Sequence, residues 1–147
     1  MSNEAVFGAA NMLALAGWLA LLASWWLRGW PERIAEGIAE LAVPLLLAVA
    51  YTGLVLAFWS RAPGGFGSLG EVMALFTSPG IALAGWVHYL AFDLLVGAWE
   101  VRTARREGLA FLLVLPCLVL TFLFGPAGFL LFNALRMATR RNVLEVR

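Results

Sequence analysis

Apolar residues fall into four long blocks, separated by short stretches where charge, glycine and proline collect. The blocks run from about Val6 to Trp26, Leu41 to Trp59, Ile81 to Trp99 and Leu109 to Leu135. A helix rises about 1.5 Å per residue, so crossing roughly 30 Å of hydrocarbon takes about 20 residues. Each block is near that length or longer, and unbroken hydrophobicity over such a span predicts a transmembrane helix. The expected fold is therefore all-α, a single transmembrane domain over residues 1–147. It is an integral membrane four-helix bundle with both termini on one side and a short interfacial helix between spans 2 and 3.

The intervening stretches refine this picture. Trp25, Trp26 and Trp30 gather with Arg28 at the end of the first block, as in an aromatic belt at the headgroup level. Asn11, the strongly polar residue near the start of that block, is expected to make a helix-packing hydrogen bond. The start Met1-Ser-Asn-Glu lacks the basic region of a signal peptide, so the first block is kept as a mature span. Pro31 to Glu40 is a short amphipathic connector, with proline in the first helical turn and acids behind it. Tyr51 and Thr52 sit in the middle of the second block and could lend hydroxyls to a pocket. Ser60 to Gly70 holds four glycines and a proline and reads as a loop. Glu71 to Gly80 is too short to span and predicts the interfacial or re-entrant helix, a connector or a lid. The stretch from Glu100 to Gly108 is the most charged in the chain and predicts a solvated extension and turn. In the last block Pro116, Gly125, Pro126 and Gly128 predict a kink, whose freed carbonyls neighbouring helices must satisfy.

Composition agrees with the pattern: 63% of the 147 residues are hydrophobic, only 13% are charged, and mean hydropathy is +0.88. Soluble domains carry about 45–50% apolar and about 25% charged residues. The formal net charge of +1 identifies no partner, and nothing resembles a basic nucleic-acid surface. Arginines divide evenly between the two expected sides, which leaves orientation open. The tail cluster Arg136, Arg140, Arg141 and Arg147 favours both termini in the cytoplasm. Cys117 stands alone in an apolar run, so no intrachain disulfide or thiolate cluster is expected.

The third block carries the chain's only histidine, His88, and only aspartate, Asp93. A carboxylate near the bilayer centre costs about 2.5–3.5 kcal/mol on insertion scales, so it normally faces a protein interior or a cavity. At about 100° per residue, Trp86, Tyr89, Asp93 and Glu100 share one helix face. Tyr89, one turn from Asp93, could donate a hydrogen bond to it. His88 points about 140° away, with Phe92 and Trp99. One histidine cannot build a di-iron or facial-triad site, so no metal and no cofactor is expected, although axial haem ligation by His88 stays open. The serines lie near helix ends, away from a nucleophilic set. What remains is proton chemistry at His88 and Asp93, a buried acid and an imidazole. The alternative is that the two only hydrogen-bond between helices.

The run Gly85-Trp-Val-His-Tyr-Leu-Ala-Phe-Asp93, followed by Leu115-Pro-Cys-Leu-Val-Leu-Thr-Phe-Leu-Phe-Gly-Pro-Ala-Gly-Phe-Leu-Leu131 and Arg136, resembles the abscisic-acid-deficient-4-like family of small membrane proteins. Plant members of that family are associated with neoxanthin synthesis. The resemblance implies a membrane protein of carotenoid metabolism, with His88, Asp93, Pro116, Thr121, Gly125, Pro126 and Arg136 as motif positions. It further implies a carotenoid- or isoprenoid-modifying activity, an acid–base isomerisation of an end group with His88 and Asp93 catalytic. Trp86, Tyr89, Phe92, Trp99, Thr121 and Arg136 would bind the ligand. A non-catalytic carotenoid-binding or accessory protein is the alternative. Expected partners are a lipid-soluble polyene substrate or pigment and membrane lipid, with a homodimer open and no nucleic acid. With no plastid transit peptide ahead of the first block, the expected location is a bacterial inner membrane.

Overall fold

The computed structural model describes residues 2–145, with side chains through Thr139. It is all-α, and no strand occurs among the described residues. Helix α1 spans Asn3–Ser24, its N-terminus capped by the Ser2 hydroxyl, which accepts from the Ala5 amide. Helix α2, Trp30–Gly37, starts with Pro31 in its first turn, where a missing N–H costs nothing. It passes through a π-helical turn, Ile38–Ala42, into α3, Val43–Phe58, and a closing 3-10 turn, Trp59–Arg61. The expected connector and second span are thus one rod, Trp30–Arg61, whose α3 part is apolar enough to cross a membrane.

Helix α4, Leu69–Leu75, is the short helix expected between spans 2 and 3. Ser68 caps it through the Glu71 amide (3.2 Å), and Glu71 reaches back to the Gly67 amide (2.9 Å). Pro79 then opens α5, Pro79–Glu107, which ends at Gly108 in the left-handed conformation that glycine accepts without strain. Three segments are long and apolar enough to cross a membrane: Asn3–Ser24, Trp30–Arg61 and Pro79–Arg106.

These three pack along their whole lengths. Helix α1 runs parallel to α5: Phe7 meets Trp86, Gly17 faces Leu94, Trp18 lies on Gly97, and Arg105 bonds the Ser24 carbonyl. Helix α3 runs antiparallel to it, from Glu40 beside Arg102 through Tyr51 beside His88 to Phe58 on Gly80. A Cβ at Gly80 or Gly97 would overlap the facing ring, so glycine sets how closely these helices approach. Leu21, Leu47, Val87, Leu94, Ala98 and Val101 form the buried centre. At the α2 end Arg105 joins Glu32 (2.7 Å) and Glu36, and Arg102 joins Glu40.

The expected fourth span, 109–135, is where the structure departs. Instead of one kinked helix it holds two, α6 (Phe111–Phe124) and α7 (Pro126–Glu145), broken at Gly125. Fourteen residues of α6 reach about 21 Å, short of the roughly 30 Å a bilayer core requires. Helix α6 starts beside Trp25 and Trp26, which touch Phe111, and descends until the Leu123 carbonyl meets Tyr89. Helix α7 returns the way α6 came: Phe129 and Phe132 pack on Trp99, and Arg136 reaches Glu107. The pair forms a re-entrant hairpin whose tip lies at the middle of α5. Its chain reversal carries the tail to the α2 end, opposite the N-terminus. A three-rod bundle with an inserted hairpin therefore replaces the expected four-helix bundle with both termini on one side.

Gly125 and Gly128 explain the reversal. Gly125 adopts φ +25 and ψ −82, where a side chain is strained. A Cβ at Gly128 would lie 2.6 Å from the Cys117 carbonyl and overlap Thr121, so α6 and α7 touch backbone to backbone. Pro126 occupies the first position of α7, a site proline suits, rather than kinking a continuous helix.

Candidate functional site

Two faces of α5 carry polar chemistry, and they are separate. The first bears His88, which is exposed and stacks on Phe92 (centroids 4.5 Å apart, planes 25°). Tyr51 of α3 lies 5.5 Å from the imidazole, ring to ring. Both belong to a groove of about 240 Å³ that Trp59, Phe66, Leu75 and Phe76 complete at the α4 end. The length of α3, the capped turn of α4 and the close Gly85–Phe76 approach shape this groove.

The second face looks at the hairpin. Asp93 is only 7% exposed, its Oδ2 buried with no hydrogen-bond partner among the described residues. Its other oxygen sits against Gly125, leaving no room for a Cβ there. One turn earlier, the Tyr89 hydroxyl donates to the Leu123 carbonyl (2.6 Å) and more weakly to that of Phe122 (3.4 Å). These carbonyls end α6 and have no helical partner of their own, so Tyr89 supplies what the break removed. The hydroxyl also interacts with the Asp93 carboxyl group, as its spacing predicts.

Two turns further on, Glu100 is 0% exposed. The Thr121 hydroxyl, equally buried, lies 2.9 and 3.0 Å from its two carboxyl oxygens. This corrects the expectation that the charged stretch from Glu100 is solvated: its first residue is inside the protein, and Arg105 is held by an ion-pair network. The shared face of Asp93 and Glu100 was readable from helical spacing. Burial of Glu100 was not, because it depends on a hairpin that a linear hydropathy profile reads as one span.

The expected site residues divide into clusters. His88 and Phe92 lie on the groove face, and Asp93 and Tyr89 on the hairpin face, so the two expected catalytic groups do not meet. Trp86 packs on Tyr89 (5.3 Å) and donates to Asn11 (3.2 Å), which makes the packing bond expected of it. Thr121 binds Glu100. Trp99 stacks with Phe129 and Phe132, and the Arg136 guanidinium lies 5.6 Å from the Trp99 ring while pairing with Glu107. Three further tail arginines, Arg140, Arg141 and Arg147, lie outside the described side chains.

Comparison with known proteins gives one finding. Neither a curated protein nor a solved structure matches the chain significantly. A family model described as ABA DEFICIENT 4-like matches residues 5–132, from the first helix through the hairpin and both faces of α5, and the chain belongs to that family.

Proposed function

We propose that the protein sits in a membrane, binds a carotenoid or related isoprenoid, and isomerises one of its end groups by acid–base chemistry. Family membership relates the chain to neoxanthin synthesis. The observation that carries the reading here is the groove, because it combines aromatic walls for a polyene with the chain's one imidazole and a phenol. Converting an epoxide end group to an allene is redox-neutral. An acid protonates the epoxide oxygen as the C–O bond breaks, and a base takes a proton from the adjacent polyene carbon, so no atom is gained or lost. In this reading His88 would take that proton, and the Tyr51 hydroxyl would donate to the epoxide oxygen. Membrane lipid would surround the groove.

A second reading, a non-catalytic carotenoid-binding or accessory protein, draws support from the separation of His88 and Asp93. With the imidazole and the buried acid on different faces of α5, one end group cannot touch both. The test is expression in a carotenoid-producing host, with pigments separated by chromatography and weighed against an empty-vector control. Isomerisation gives a new species of unchanged mass and altered retention. Pigment that co-purifies unchanged supports the accessory reading, and no bound or altered pigment in a folded protein removes both.

A further inference from the structure

The groove leaves the most costly group in the chain without a task. Asp93 lies near the middle of a helix long enough to cross a membrane, buried, with Oδ2 unpartnered. No cationic side chain among the described residues faces it, and the start of α7, at Gly125, lies against its other oxygen. On α5 the titratable neighbours on its face are Tyr89 and Glu100. Helix α6 offers only Cys117, which lies near Glu100. The nearest described cation of α7, Arg136, is committed to Glu107 at the C-terminal end of α5. Helix α1 carries Glu4 alone, in its first turn at the opposite end. A buried carboxylate in this position needs a counter-charge or a proton.

What the structure sets one helical turn from Asp93 is oxygen. The end of α6 presents the Phe122 and Leu123 carbonyls to the same face of α5, with the Tyr89 hydroxyl between the helices. Helix breaks inside membrane proteins expose carbonyls at half-helix ends, and such oxygens together with a carboxylate suit a small monovalent cation. Here Gly125, at the break, lies against the Asp93 carboxyl group, and the carbonyls two and three residues before it bond Tyr89, one helical turn from Asp93. We infer that Asp93 and the carbonyl end of α6 form a binding site for a monovalent cation, either a sodium ion or a proton. The site is independent of the carotenoid reading, and its test requires no pigment.

The experiment measures the melting midpoint of the detergent-solubilised full chain, wild type and Asp93→Asn, across pH in sodium chloride and in choline chloride at equal ionic strength. A ligand that binds only the folded state raises the midpoint in proportion to the logarithm of its concentration once above its Kd. A rise with sodium in wild type that is lost in Asp93→Asn identifies sodium. A rise on acidification, absent in Asp93→Asn and indifferent to sodium, identifies a proton, since a native state that binds it more tightly gains stability as pH falls. Equal responses of the two proteins to both cations overturn the proposal. They would leave Asp93 as a permanently ionised group lying at the N-terminus of α7. Should Asp93→Asn fail to fold, infrared difference spectra of wild type decide. A carboxylic-acid band that titrates, or a carboxylate band that shifts with sodium, supports the site, and neither change overturns it.

Discussion

The two polar faces of α5 are built from the same helix by opposite means. On the groove side His88 is exposed, its neighbours Tyr51 and Phe92 contribute rings, and the space between α3 and α4 is open. On the hairpin side Asp93 and Glu100 are closed over by α6 and α7, whose backbones approach as far as Gly128 permits. An exposed imidazole can meet a ligand without any rearrangement. A buried carboxyl group exchanges only what can pass between packed helices, a proton or a small ion. One face suits chemistry on a large molecule, and the other suits charge storage and the integrity of the fold.

The sharpest way to break this division is to remove one titrating group at a time. Replacing His88 with glutamine keeps polarity but removes the imidazole, and conversion per folded molecule should fall by about 10²- to 10⁴-fold, the usual range for acid–base catalysis. Pigment binding should persist. Asp93→Asn should leave conversion within a few-fold of wild type, as long as the protein is assayed in the folded fraction. A large loss in Asp93→Asn with His88→Gln unaffected would reverse the assignment and make the hairpin face catalytic.

Closure of the hairpin face is tested by filling it. Gly128→Leu must push α7 away from the Cys117 carbonyl and Thr121, with no space for the side chain to turn into. Overpacking commonly costs about 1–3 kcal/mol, and this backbone contact should reach about 3 kcal/mol or more. The readout is the unfolding midpoint in detergent. The groove should be spared, so residual folded protein should still bind pigment.

A smaller loss is expected from Thr121→Val, which keeps shape and leaves the buried Glu100 without its hydroxyl partner. An unsatisfied buried group costs about 1–3 kcal/mol. The double variant Thr121→Val with Glu100→Leu should recover part of that loss, because the stranded carboxyl group is gone. Lack of any recovery would mean that Glu100 has other partners that matter more.

Much of this was legible in the sequence, and the failures share a cause. Three long apolar blocks announce α1, α3 and α5, because hydropathy over one segment depends on that segment alone. The short α4 was readable as a stretch too short to span that follows a glycine-rich loop. The angular separation of His88 from Asp93 follows from helical spacing, and the structure keeps it. The fourth block failed because the same apolar composition serves a crossing helix or one that turns back. What decides is the contact of Gly128 with Thr121 and Cys117, seven and eleven positions earlier in the chain, and no local pattern reports that distance. Burial of Glu100 failed with it, being a consequence of the hairpin.

The reversal also settles how the arginines divide. Arg28, Arg33, Arg102, Arg105, Arg106 and Arg136 lie toward the α2 end, while Arg61 closes α3 at the other. Read as one straight span, the fourth block had put the four tail arginines, Arg136, Arg140, Arg141 and Arg147, with Arg61 and produced a tie. If the chain spans a membrane, the positive-inside rule would put the α2 end in the cytoplasm and the N-terminus outside. Tags at the two termini should therefore report opposite sides of the membrane, and tags on one side would restore the straight fourth span.

The same assay supplies the smallest expected effect. Pro126 stands at the first position of α7, where it forfeits no helical hydrogen bond, and the Phe129 amide still bonds the Gly125 carbonyl (3.1 Å). Pro126→Ala should shift stability by no more than about 0.5 kcal/mol, the range of substitutions that touch no special feature. It should also leave the tail tag where it is, because the turn is held by the unusual backbone of Gly125 and the close contact at Gly128. If the tail instead crossed to the other side in Pro126→Ala, proline would be what prevents α6 and α7 from joining. The hairpin would then be a helix interrupted by one residue, and Asp93 would face a break that a single substitution can heal.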